Sequence, residues 1–95
     1  MTILEIDEQQ FQVTSVDVTD DEIIMALKDG RTIHAPLWWY PRLHKATTEQ
    51  RQDWQILPFG DAVGWEEIDE YISAEALIIG GAAPGAVEPL QAAAE

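Results

Sequence analysis

Ile23-Ile24-Met25-Ala26-Leu27-Lys28-Asp29-Gly30-Arg31-Thr32-Ile33-His34-Ala35-Pro36-Leu37 reads as a β-hairpin whose register follows from its side chains. Two apolar runs flank a Lys-Asp-Gly-Arg turn, a strong hairpin signal. A two-residue Asp29-Gly30 loop would pair Leu27 with Thr32 and Met25 with His34, mixing polar and apolar residues on both faces. A three-residue loop, Lys28-Asp29-Gly30, pairs Met25 with Ile33 and Ile23 with Ala35 instead. That register gathers Ile23, Met25, Leu27, Ile33, Ala35 and Leu37 on one face. A one-residue slip exchanges the faces, so the hydrophobic pattern selects the second register. Gly30 is then needed for its positive φ, and His34 falls on the opposite face near Ile24.

The hairpin runs into residues 36–43, Pro-Leu-Trp-Trp-Tyr-Pro-Arg-Leu. Pro36 ends the second strand or confines it to an edge. Pro41 suits the first position of a helix, where its missing N–H is not needed. Leu43 and Trp54 are eleven residues apart and would share a face on an unbroken helix. Thr47-Thr48-Glu49-Gln50 offers a capping box that would start a second helix at Thr48. Lys45 and Glu49 are spaced as a favourable i,i+4 pair. One broken helix or two short ones are expected.

Residues 11–18 are β-branched and partly alternating, as in a half-buried strand, and residues 19–22 form a polar turn. Residues 55–60 read as a strand ended by Pro58 and Gly60, and residues 61–65 as a turn leading into a short extended piece. Residues 66–72 fit a helical stripe (Trp65, Ile68, Ile72) and strand alternation (Ile68, Glu70, Ile72) equally well. Ser73 is a good helix N-cap with Glu75 in the first turn and Gly80-Gly81 as the stop. The fold class is therefore α+β: antiparallel hairpins packed with two or three short helices in a single small domain, residues 1–80. Residues 81–95 are rich in Ala, Pro and Gly and are read as a disordered tail, with Pro89 able to start one last helical turn.

Composition narrows the function classes. The 95 residues contain no cysteine, which excludes a disulfide framework and thiolate metal sites. The acidic start, Met-Thr-Ile-Leu-Glu-Ile-Asp-Glu, is not read as a signal peptide. No apolar run approaches the roughly 20 residues that span a bilayer, so a cytoplasmic location is expected. Eighteen acids against five bases give a net charge of −13. All five bases, Lys28, Arg31, Arg42, Lys45 and Arg51, fall within residues 28–51, where Asp29 and Glu49 are the only acids and the local net charge is +3. So negative a whole repels nucleic acid at long range, and it favours a basic partner or simply serves solubility.

Asp29-Gly30-Arg31, Pro36-Leu37-Trp38, Tyr40-Pro41-Arg42-Leu43, Ala46-Thr47, Arg51, Trp54, Gly60, Trp65 and Asp69-Glu70 with Ile72-Ser73 recur in order. Together they resemble the bacterial domain-of-unknown-function 2442 family over roughly residues 12–80. The resemblance implies a small α+β fold of hairpins packed on short helices. It also implies a setting: some members continue into a helix-turn-helix domain, and others sit beside a small partner in toxin–antitoxin-like pairs. It implies no activity. Where the family shows Ile-His-Trp-Pro and then Asp-Glu-Asp, this chain has Gly64 for the histidine, Glu66 for the proline and Tyr71 for the last aspartate.

The candidate contact or structural residues are Trp38, Trp39, Tyr40, Arg42, Arg51, Trp54 and Trp65. Adjacent residues of an extended chain point opposite ways, so one of Trp38 and Trp39 is expected to close the core and the other to stay free for a partner. Arg42 and Arg51 could pin a phosphate or carboxylate ligand, but the commoner role, expected here, is an ion pair with Glu67, Asp69 or Glu70. The acidic run 66–70 lacks calcium-loop spacing and has no histidine nearby, so no metal, cofactor or catalytic site is assigned. His34 and His44 read as surface or packed histidines. The leading expectation is a non-enzymatic interaction module, antitoxin-like or accessory, that binds a small basic protein or a second copy of itself. The alternatives are a nucleic-acid-associated regulator acting through residues 28–51, and a small ligand-binding enzyme.

Overall fold

A computed structural model describes residues 11–88; the readings of residues 1–8 and 89–95 lie outside them. Strands β1 (Val13–Val18), β2 (Glu22–Leu27) and β3 (Thr32–Pro36) form one antiparallel meander. Strands β4 (Gln55–Ile56), β5 (Ala62–Trp65) and β6 (Glu70–Ser73) form a second. Three short helices, α1 (Pro41–His44), α2 (Thr48–Gln52) and α3 (Ala74–Ile79), connect and flank the sheets. The expected α+β class, hairpins with short helices, is the fold observed. No helix among the described residues is long and apolar enough to cross a membrane.

The β2–β3 hairpin takes the three-residue loop. Ile23 pairs with Ala35, Ile24 with His34 and Met25 with Ile33. The loop closes through Leu27 N–H to the Arg31 carbonyl at 2.8 Å and Gly30 N–H to the Leu27 carbonyl at 3.0 Å. Gly30 sits at φ +100°. The partial alternation of β1 comes from a bulge at Thr14: Val13 opposes Leu27, but Ser15 opposes Ala26. The extra residue lets Val13 and Val16 both face inward although three positions apart.

The core lies between the sheets. Ile23, Met25, Leu27 and Ala35 from the first sheet meet Val63, Trp65 and Ile72 from the second, and Leu37, Leu43, Ala74 and Leu77 close the ends. Each large aliphatic buried this way contributes about 1.5–3 kcal/mol.

Between α1 and α2 the chain breaks rather than running through. Thr47 Oγ1 accepts from Gln50 N–H at 3.0 Å, and Gln50 Oε1 accepts from Thr47 N–H at 3.0 Å, the reciprocal box read from sequence. Two short helices result, and Trp54 follows α2 in irregular chain, half-buried against the core. Lys45 and Glu49 lie on opposite sides of this break and form no ion pair.

Two expected boundaries shift. The strand over 55–60 shortens to Gln55–Ile56, because Leu57-Pro58-Phe59-Gly60 form the turn into β5. Residues 66–72 divide between the two alternatives: a 3-10 turn over Glu66–Ile68, then Asp69 at φ +56°, then β6. Ser73 caps α3 by accepting from Ala76 N–H at 3.0 Å, and Gly80 ends the helix at φ +88°.

Candidate functional site

The 36–43 segment links β3 to α1 through a 3-10 turn at Leu37–Trp39. Leu37 extends the apolar hairpin face and is 1% exposed. Tyr40 is buried, and burial, with Glu70 nearby, raises its hydroxyl pKa above the ordinary value. The residues named as contacts thus divide. Tyr40 and Trp65 are core, while Trp38, Trp39 and Trp54 are half-buried.

The two tryptophans of the junction differ in what they touch. Trp39 packs against the core, and its ring lies 3.5 Å from where a side chain on Gly80 would begin. Its carbonyl accepts from Ala83 N–H at 2.8 Å. Trp39 is therefore engaged by the chain's own 80–83 segment. Trp38 is not among the residues packed on the core.

The two arginines also part company. Arg42 follows the expected pairing: Nη1 donates to the Asp69 carbonyl at 2.6 Å and lies 3.9 Å from its carboxylate. Arg51 does not pair with the 66–70 tract. Its side chain, 11% exposed, donates to the Leu43 carbonyl at 3.1 Å, the His44 carbonyl at 3.0 Å and Asp20 at 3.0 Å. The cause is the helix break, which turns α2 back so that Arg51 reaches the Leu43 and His44 carbonyls at the end of α1. The Arg51 carbonyl in turn accepts the Trp65 indole N–H at 2.9 Å. His34 lies on the solvent face, its Nδ1 3.0 Å from a Glu22 carboxylate oxygen, as expected of a surface histidine.

Beside the junction lies a pocket of about 520 Å³. Arg42 and Lys45 line one side, Glu70 at the start of β6 another, and the Ala83-Pro84-Gly85 turn the third. Burial raises the Glu70 carboxyl pKa above the ordinary carboxylate range; Arg42 opposes that rise and Asp69 adds to it. Sequence reasoning brought Arg42 and Glu70 together but did not place the pocket's third wall. That wall comes from residues whose Ala-Pro-Gly composition carries no periodic signal.

A crystal structure of a protein of unknown function from Rhodospirillum rubrum is similar to this chain, at TM-score 0.66 and 23% identity. The match covers 79% of this chain and 93% of that one, and at this identity it shows a shared fold. No curated protein matches. A family model described as "Protein of unknown function (DUF2442)" matches residues 13–82, a span that holds both hairpin sheets, the Trp-Tyr-Pro-Arg-Leu junction and Arg42, Lys45 and Glu70 of the pocket. On that match over most of its length, the chain belongs to the DUF2442 family.

Proposed function

We propose that this protein is a non-enzymatic interaction module, an antitoxin-like or accessory subunit that binds a small basic protein in the cytoplasm. The observation that carries the reading is the segregation of charge. All five cations fall within residues 28–51. Outside that window every charged side chain is acidic, and Asp17, Asp20, Asp21, Asp53, Asp61 and Glu66 all stand exposed. Such a field attracts a basic partner and speeds its docking.

The cations themselves favour protein over nucleic acid as the partner. Arg31 is paired with Asp29 at 2.8 Å, Arg42 with Asp69 and Arg51 with Asp20. Among the described residues this leaves Lys28 and Lys45 without an ion pair, too few for a phosphate-tracking surface. Trp38, half-buried and outside the core, is the aromatic best suited to anchor the partner.

The test is co-purification from the native host, followed by calorimetry with the neighbouring gene product. A stoichiometric complex with a small basic protein, weakened by salt, is the expected result. Trp38→Ala should cost that complex about 2 kcal/mol or more. A clean monomer that engages neither protein overturns the reading.

A further inference from the structure

We propose that the pocket between α1, the start of β6 and the Ala83-Pro84-Gly85 turn binds a small monocarboxylate carrying a hydroxyl donor, a hydroxy acid. Its volume, about 520 Å³, falls in the range of small-molecule sites, roughly 300–1,000 Å³. Two cations and one carboxylate line it, with the Asp69 carboxylate 3.9 Å from Arg42 beside the lining. Lys45, the cation without an ion pair among the described residues, matches one negative charge; a phosphate dianion would place its second charge against Glu70.

The donors are already arranged. Arg42 Nη1 is held by the Asp69 carbonyl, which steadies the guanidinium and leaves Nε and Nη2 without an acceptor among the described residues. A fork of this kind suits a carboxylate. Lys45 makes no ion pair among the described residues and supplies the second charge. Glu70 is half-buried, poorly solvated and without a side-chain hydrogen bond among the described residues, so a ligand hydroxyl would satisfy it. The third wall is fixed by the Ala83 to Trp39 bond at 2.8 Å.

This site stands apart from the interaction reading, since no protein partner enters its test. The full chain is titrated with lactate, acetate and inorganic phosphate at constant ionic strength, followed by amide NMR shifts. Lactate should give saturable shifts centred on residues 42, 45, 70 and 83–85, with acetate and phosphate several-fold weaker. Lys45→Gln, at an exposed side chain, should weaken lactate about tenfold, as expected for losing one close charge contact. Glu70→Leu should erase the preference for lactate over acetate. Shifts that do not saturate overturn the site, and so do phosphate binding as tightly as lactate or an unchanged affinity in Lys45→Gln.

Discussion

Trp65 donates its indole N–H to the carbonyl of Arg51 at 2.9 Å, from a position only 1% exposed. Because Arg51 also holds the carbonyls of Leu43 and His44 and the Asp20 carboxylate, this pair joins β5, α2, the end of α1 and the β1–β2 turn. The Trp65 bond and the Arg51 bond to Leu43 are partly buried, so removing either donor costs more than at an open surface. Trp65→Phe keeps the ring bulk in part but loses the donor, and should cost about 1–3 kcal/mol in urea unfolding. Arg51→Lys should cost a similar amount, since an ammonium cannot reproduce the guanidinium's planar array of donors. Lys45→Gln, in contrast, should stay within about 0.5 kcal/mol of the parent. Arg51→Lys as mild as Lys45→Gln would show that the arginine holds nothing together.

A second pair packs without slack across the second sheet. Gly64 lies directly opposite Tyr71 across β5 and β6. A Cβ on Gly64 would lie 2.8 Å from two Tyr71 ring carbons and 3.2 Å from Leu57 Cδ2. The ring therefore occupies the space that a side chain at position 64 would need. Gly64→Ala should destabilise by about 1–2 kcal/mol through overpacking. In a Tyr71→Ala background the same change should cost at least about 0.5 kcal/mol less, the signature of coupled neighbours. Additive costs in a double-mutant cycle would dismiss the coupling.

The parts of the fold legible in sequence are those set by local rules. The β2–β3 register followed from the period-2 pattern, and the starts of α1, α2 and α3 from Pro41, the Thr47–Gln50 box and Ser73. Arg42 found its expected partner because Asp69 follows the β5–β6 turn that faces α1. Arg51 did not, because its partner depends on the direction in which α2 leaves the break, a tertiary matter. The pocket's Ala83-Pro84-Gly85 wall was not legible for the same reason: three separate segments build the pocket, and only packing brings them together.

The hairpin turn offers a clean measurement of backbone cost. Gly30 has φ +100° and nothing within 4 Å of where a Cβ would stand. Gly30→Ala therefore introduces no clash with neighbours, and its penalty is the left-handed backbone itself, about 1–2 kcal/mol. Gly30→Asn should cost less, since asparagine tolerates that region better. Equal stability of all three in urea unfolding would mean that the turn is not the three-residue loop.

Glu70 sets the pH behaviour. Its carboxyl, ordinarily titrating near 4.5, is raised in the fold by burial, with Arg42 lowering it and Asp69 raising it further. As pH climbs past 4.5, the unfolded chain releases this proton first while the folded chain still holds it. The folded state then binds more protons, so stability from this group falls with rising pH until the folded pKa is passed. Below pH 4.5 both states are neutral at this position and the effect vanishes. Glu70→Gln cannot ionise. The stability of this variant relative to the parent should therefore climb from pH 4.5 upward and level off above the folded pKa. Urea unfolding of both proteins from pH 4 to pH 8 measures it, and a constant difference across that range would remove the burial of Glu70 as the cause.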